Sequence, residues 1–533
     1  MDVAARYTPI SDGSSRVLGD ERIAWLRDYA ERRLNSRLMD ERRCIPPYVA
    51  LDLGNRGFLG VQVDEKFGGL ALRSREIARI LEQAAAIDLA FGTWLLVCLF
   101  PGVRPIAAFG SPVLQDELLP DLASGRVLAG YAQTEYGAGT HFPAMAARAT
   151  ASADGTWSLS GDKVWIGNAS WAGVLTVMAH DVDDTGRRRG LTAFAVRSDR
   201  PGVRPGAELL SMGMRAVVQN EVSFRDVRLG LDDVVGEPRG GIEVAVDSMS
   251  WSRFAIAATC IGASKQCLRL ALRFARRRSI ATGRLSDHPV IRSYLSEGAA
   301  RTAAAESLLY RVASDVDAGR GVAPELFAAC KLTASEFLWE TADRAVQVLG
   351  SRGYDEANGI PQLLRDARVT RIFEGASEAL VAFLGAQVLN PRSELIATVR
   401  DSLGAGATAE RLEGAARVLR ERASGADAAT RAAHCAVAGW AGAWALLAAC
   451  LAADPQRAPD PLGTRARTWA GLRFEAAVER AVGAGRPDAL ELDAAALEEV
   501  VSGYADAIGD VEQSLPGERL GLDPLLRRDA TGS

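Results

Sequence analysis

Residues 365–380 read RDARVTRIFEGASEAL, so Arg365, Asp366, Arg368, Arg371, Glu374 and Glu378 fall within sixteen positions. Glu374 stands between Phe373 and Gly375. A carboxylate in that setting has two readings. In the first it is a solvated loop acid, or an anion near the start of a helix that Ser377 caps and that carries Leu380, Phe383, Leu384 and Val388 at helical spacing. In the second the flanking residues wall it off from water, which fits it to take a proton.

Other segments carry less on their own. YAQTEYGAGTH (131–141) combines glycines, which let a backbone approach a ligand, with the hydroxyls of Thr134 and Thr140. Its plain reading is a polar turn. GDKVWIGNAS (161–170) sets Trp165 near Gly167, and taken alone it favours a core tryptophan on a strand. Arg253 and Arg278 lie 25 residues apart, about seven helical turns, so one continuous helix would present both on one side. Residues 276–278 read otherwise as a solvated basic helix end. QVLGSRGY (347–354) begins 27 residues before Glu374.

Several chemistries are excluded. No GxGxxG follows a strand, and no Walker loop, GxSxG elbow or HExxH occurs. The four histidines, at 141, 180, 288 and 434, never pair at metal-ligand spacing, so no metal is expected. Seven scattered cysteines form no CxxC, which fits reduced thiols. A net charge of -5 argues against a nucleic-acid surface. The N-terminus has no apolar signal core, and a cytoplasmic location is expected. The apolar run 435–453 is rich in alanine and glycine and reads as a buried helix rather than a membrane span.

The elements that must position these residues change texture along the chain. Residues 1–128 read as a helical domain, with SREIARILEQAAA stepping by three and four. Residues 129–238 carry short strand-like runs (WSLS, KVWI, VLTVMAH, LTAFAV, EVSFRDVRL) between turns such as ADG and DDTG, which predicts an antiparallel β domain of some five to eight strands. Long helices return over 239–392, and 393–533 is a further alanine-rich helical block broken at APDPLG (458–463). The expected fold is α+β and multidomain: helices, a central antiparallel sheet, a four-helix-type bundle, and an added helical block.

In their order, LGNRGFLGVQVDEKFGG, AFGSPVLQDELLPDLASG, YAQTEYGAGT, GDKVWIGNAS, RPGVRPGAELLSMGMRAVVQNEVSFRDVRL, RFAIAATCIG and QVLGSRGY…RDARVTRIFEGASEAL resemble the acyl-CoA dehydrogenase and oxidase superfamily from about residue 20 to 390. The resemblance implies FAD held between the three domains and α,β-dehydrogenation of an acyl thioester, on CoA or an acyl carrier protein. It implies that Glu374 removes the α-proton while hydride passes to flavin N5, and that the backbone N–H of the base helps bind the thioester carbonyl. Ser252 stands where some members carry the base instead. Arg253 matches a catalytic-site arginine, and Thr140, Arg253, Glu374 and Gly375 match substrate-contacting positions. Tyr131, Gln133, Thr134, Thr140, Trp165, Gly167, Arg278, Gln347, Gly350, Ala376 and Glu378 match the flavin-binding set. Arg278 matches an arginine that reaches the partner subunit's flavin, which implies a homodimer.

The match has gaps. Threonines usual in the family are Gly167 and Ala376 here, a serine-aspartate pair reads Thr140-His141, and a common acid is Ser250. The last two positions are expected to meet the substrate. AQTE and Trp-x-Gly also resemble acyl-CoA oxidases, so both oxygen and an electron-transfer flavoprotein stand as electron acceptors. A flavin monooxygenase and an inactive binding scaffold on the same fold complete the alternatives.

Overall fold

The computed structural model describes residues 8–455, 461–483 and 493–509. Helices α1 (Asp12–Arg33), α2 (Ser36–Arg42), α3 (Pro47–Asn55), α4 (Ser74–Ile87), α5 (Leu89–Val97), α6 (Arg104–Phe109) and α7 (Pro112–Ser124) open the chain. The α4 spacing buries Ile77, Ile80, Leu81 and Ala84, as the periodicity predicts. Asp88 then ends α4 and starts α5, its carboxylate accepting the Phe91 N–H. Between α5 and α6 a wide π-type turn, Cys98–Val103, accommodates Pro101, which has no N–H to give. In α7, Ser111 caps the start, Pro112 takes the first turn, and left-handed Gly125 ends the helix.

The middle of the chain forms a sheet: β1 (Leu128–Ala132), β2 (Arg148–Ala151), β3 (Trp157–Gly167), β4 (Ala172–Val182), β5 (Arg188–Arg197), β6 (Val203–Glu208), β7 (Gln219–Leu229) and β8 (Val234–Val235). The strand order is β6-β7-β3-β2-β4-β5-β8, and β1 also joins β4. The sheet is mixed, which corrects the antiparallel expectation. Both β1 and β2 run parallel to β4, because each is connected to it by a chain excursion rather than a tight hairpin. WSLS and KVWI are one strand, β3, with a register shift between Lys163 and Ile166. Alternation along β4 serves two cores. Val174 and Met178 pack with Ile106, Leu118 and Val244, whereas Leu175, Val177 and Ala179 pack with Phe194, Val222 and Phe224.

Next come α8 (Gly241–Arg277), α9 (Pro289–Asp317), α10 (Pro324–Leu349), α11 (Ser351–Tyr354), α12 (Gly359–Val369) and α13 (Ser377–Leu389). The long helix α8 packs on both α10 and α4. The extension supplies α14 (Leu395–Ala397), α15 (Gly406–Ala423), α16 (Ala428–Ala453) and α17 (Pro461–Gly483). α16 crosses α13 with little room, since a Cβ on Gly385 would stand 1.8 Å from the Cys435 carbonyl oxygen. The run 435–453 lies in α16, whose buried face includes Ala438, Ala441, Ala445 and Leu446. Two described stretches, Leu89–Phe109 and Ala428–Ala453, are long and apolar enough to cross a membrane by length and composition. The break expected at 458–463 falls partly outside the described residues; Pro461 begins α17. Described residues from 483 onward, with α18 (Ala494–Ser502) and α19 (Tyr504–Ile508), form a separate compact unit.

Candidate active site

Between α12 and α13 the backbone turns through the left-handed region twice, at Glu374 (φ 55°) and Gly375 (φ 103°). Glycine accepts that geometry, while a glutamate there costs about 1–3 kcal/mol and needs support. Two cations from other helices supply it. Arg253 on α8 donates from Nε to the Glu374 carbonyl at 3.1 Å, and Lys331 on α10 donates from Nζ to the Gly375 carbonyl at 2.7 Å. A side chain at Gly375 would also stand 3.1 Å from Leu380.

Ser377 does not cap the following helix. It is the first helical residue, Ala376 holds the cap position with no side-chain bond, and the Ser377 hydroxyl donates to the Glu336 carboxylate. Glu336 also accepts Arg371 Nε at 2.7 Å, so the outer side of the turn is tied to α10. Leu380, Leu384 and Val388 are buried as their spacing predicts.

Glu374 keeps some exposure along its length, yet the surrounding protein desolvates its carboxylate. Burial raises its proton affinity, and the charges of Arg253 and Lys331 offset part of that rise. Tyr131 on β1 lies in the same field: burial raises its phenol first, and the negative charges of Glu374 and Asp247 add to it. Among the described residues the Glu374 main-chain N–H finds no acceptor. Glu374, Arg253, Gly375 and Tyr131 are therefore one electrostatic cluster built from distant parts of the chain.

The YAQTE segment is anchored from beneath. Lys163 is buried on β3, and its ammonium reaches Glu135 at 2.8 Å and the Gln133 carbonyl at 2.9 Å. Glu135 in turn accepts the N–H groups of Ala146 and Ala147. The pair holds Glu135 below the usual carboxylate range against its own burial, while burial lowers Lys163. The Tyr131 hydroxyl donates to Gln133 Oε1 at 2.8 Å, and the Thr134 carbonyl accepts the Val164 N–H at 2.9 Å. Trp165 is no core residue: it is 50% exposed and has φ 60° on the irregular part of β3. Gly167 pairs with Gln219, and a Cβ there would stand 3.0 Å from Val97 Cγ1. A threonine would crowd Val97.

Most of the other expected positions lie at the surface. Arg278 is the residue at which α8 ends, with extended backbone, so helical spacing from Arg253 does not set where its side chain points. Arg278, Gln347, Gly350, Thr140 and Glu378 are exposed, and Ala376 is half-buried. Ser250 does not meet an open pocket; it is fully buried and its hydroxyl bonds back to the Val246 carbonyl. Sequence reasoning passed over Lys163, Glu135, Glu336 and Lys331. For Lys331 a signal existed, because residues 326–335 are buried all round and it is their single charge. A cavity of about 740 Å³ lies away from Glu374, where Lys265 is already paired with Glu82 and Glu306.

Models of the acyl-CoA dehydrogenase N-terminal, middle and C-terminal domains match residues 22–126, 130–227 and 239–389 in that order. The chain belongs to the acyl-CoA dehydrogenase family. It is 31% identical over 336 residues to the mouse mitochondrial very long-chain specific acyl-CoA dehydrogenase, a match covering 62% of this chain and 51% of that protein. It thus spans about half the length of such curated relatives. The butyryl-CoA dehydrogenase of Megasphaera elsdenii superposes with a TM-score of 0.67 at 25% identity, covering 72% of this chain and 100% of that one. An acyl-CoA dehydrogenase of Bacillus anthracis complexed with FAD superposes with a TM-score of 0.77 at 20% identity, covering 94% of this chain and 92% of that one, which shows the fold.

Proposed function

We propose that this protein is an FAD-dependent dehydrogenase that converts an acyl thioester, on CoA or a carrier protein, to its trans-2-enoyl form, with Glu374 as the base. The observation that carries the reading is the 374–375 turn. It holds a desolvated carboxylate whose own N–H is unspent, with cations on both of its carbonyls. Removal of an α-proton needs a carboxylate of raised proton affinity, and the free N–H beside it suits a thioester carbonyl as it gains negative charge.

The cofactor-facing residues fit a large flat ligand with a charged tail. Gly137, Gly139 and Gly350 have nothing within 4 Å of where a Cβ would stand, so their backbone is uncovered. Trp165 offers an exposed ring, and the Thr176 hydroxyl, opposite Tyr131 in the sheet, is buried with no partner among the described residues. Tyr131, Gln133, Thr134, Thr140, Trp165 and Gly167 would hold FAD from the sheet side, and Gln347, Gly350, Ala376 and Glu378 from the helical side. When bound, FAD supplies the acceptor for the β-hydride. Glu374 takes the α-proton on its carboxylate, and Arg253 keeps the turn from relaxing. Exposed Arg278 suits a phosphate of the flavin of a second subunit, which makes the protein a homodimer. Its seven free thiols suit a reducing, cytoplasmic setting.

An anaerobic titration of the purified protein with a straight-chain acyl-CoA, followed at the flavin absorbance, tests the reading. Bleaching is expected. Unchanged flavin with acyl-CoA and with the same acyl group on a carrier protein would overturn it. Hydrogen peroxide formed under air assigns the electrons to oxygen, and its absence assigns them to an electron-transfer flavoprotein.

A further inference from the structure

Lys331 is fully buried in the middle of α10, in a stretch where Leu326, Phe327, Ala328, Ala329, Leu332 and Ala334 are buried with it. A lysine in such a place is expensive unless its ammonium is used. No carboxylate oxygen comes within ion-pair distance of it among the described residues. Its one recorded hydrogen bond runs to the Gly375 carbonyl at 2.7 Å. That carbonyl belongs to the residue after the base, in a turn whose preceding carbonyl is already held by Arg253. Two cations, from two helices, thus fix successive peptide planes of a backbone that would not otherwise stay left-handed.

We propose that Lys331 is a positioning residue for the base: by holding the Gly375 carbonyl it locks the turn that aims the Glu374 carboxylate, and its charge stabilises the ionised form of that carboxylate. The proposal rests on Glu374 being the base. Position and charge act together. Without the Gly375 contact the strained peptide is free to rotate toward ordinary φ, carrying the carboxylate with it. Without the ammonium, Glu374 keeps only Arg253 against its desolvation.

The environment of both groups is defined. Around Lys331 stand Cys260 and Arg253 from α8, Glu374 from the turn, and Glu336 from its own helix. The Lys331 ammonium is lowered to about 8, chiefly by burial and in lesser part by Arg253, while Cys260, Glu374 and Glu336 work the other way. Around Glu374 stand Arg253, Lys331 and Tyr131. Of these groups only Arg253 and Lys331 favour its charged form.

The test uses the full-length, flavin-loaded protein and two readouts. The first is the titration midpoint of the Glu374 carboxyl by carbon-13 NMR of glutamate-labelled protein, its resonance assigned by its loss in Glu374→Gln. In Lys331→Met, which keeps length and loses charge and donor, the midpoint should rise by about half to one pH unit. The second is the rate of flavin reduction by an acyl thioester. It should fall at least tenfold in Lys331→Met with little change in KM, and the acid limb of its pH profile should move to higher pH. Lys331→Gln, which keeps a donor without charge, should show the raised midpoint with a smaller loss of rate.

An unmoved carboxyl midpoint in Lys331→Met overturns the proposal even if activity falls. So does failure of both variants to accumulate with flavin bound, which would give Lys331 a folding role alone. Native protein whose flavin no thioester reduces would overturn the proposed function instead, and the NMR midpoint still reads whether Lys331 acts on Glu374.

Discussion

Lys163 beneath the YAQTE segment and Lys331 beneath the base turn are both fully buried, and each gives its ammonium to a main-chain carbonyl, Gln133 in one case and Gly375 in the other. They differ in what else they face. Lys163 has a carboxylate of its own, Glu135 at 2.8 Å, and that carboxylate also accepts the Ala147 N–H on the same oxygen and the Ala146 N–H on the other. Among the described residues Lys331 has no such partner, and it shares the field of Glu374 with Arg253. A paired buried lysine makes a closed, rigid joint. One without a carboxylate partner leaves its charge to act on whatever stands nearby, and here that is Glu374, the proposed base. The cofactor side of the site is thus held by a satisfied network, and the chemical side by one left open.

The sharpest way to break the comparison is Lys163→Met. It strands the buried Glu135 charge and should cost about 3–5 kcal/mol of stability, read by urea unfolding, where Lys331→Met should act mainly on rate. Lys163→Met combined with Glu135→Gln should recover more than half of that loss. Trp165→Ala is next. The loss of one aromatic contact should weaken FAD binding about tenfold, about 1.4 kcal/mol, in a flavin-fluorescence titration. The stability of the flavin-free protein should move by less than about 0.5 kcal/mol, because the ring is half exposed. Ser377→Ala removes the hydroxyl from Glu336 and should cost about 1–2 kcal/mol in the same unfolding assay.

The smallest effect concerns pH. Glu374 is held above its ordinary 4.5, so its folded form binds a proton more tightly than its unfolded form. Its contribution to stability is full below the ordinary value and is lost as pH rises through the raised one. Glu374→Gln removes that dependence. The variant should gain stability relative to the native protein as pH rises across this window, as measured by unfolding midpoints on either side of it.

Much of this was legible in the sequence where the signal is local. The α4 stripe, the long helices and the strands β3, β4, β5 and β7 all follow from spacing of three to four or of two. The short strands β1, β2 and β8 carry too few residues to show a period, and the parallel pairing of β1 and β2 with β4 is a matter of distant contacts. Glu374 and Arg253 were legible as residues through the ordered motifs. Their joint was not, because Arg253 and Glu374 are 121 positions apart in the chain and meet through a backbone carbonyl that has no sequence signature. Trp165 looked like core because an alternating strand predicts it, but it has a positive φ where the β3 register shifts between Lys163 and Ile166. Ser377 looked like a cap because its type and place suit one, but Glu336, from another helix, competes for the hydroxyl.

The central claim is that Glu374 is the base, and the most direct measurement is stopped-flow reduction of the bound flavin by an acyl thioester without oxygen, comparing the native protein with Glu374→Gln. The native flavin should bleach in a single rapid phase. Glu374→Gln should retain its flavin and bind the thioester, yet bleach at least about a hundredfold more slowly. A Glu374→Gln protein that bleaches at the native rate would contradict the account.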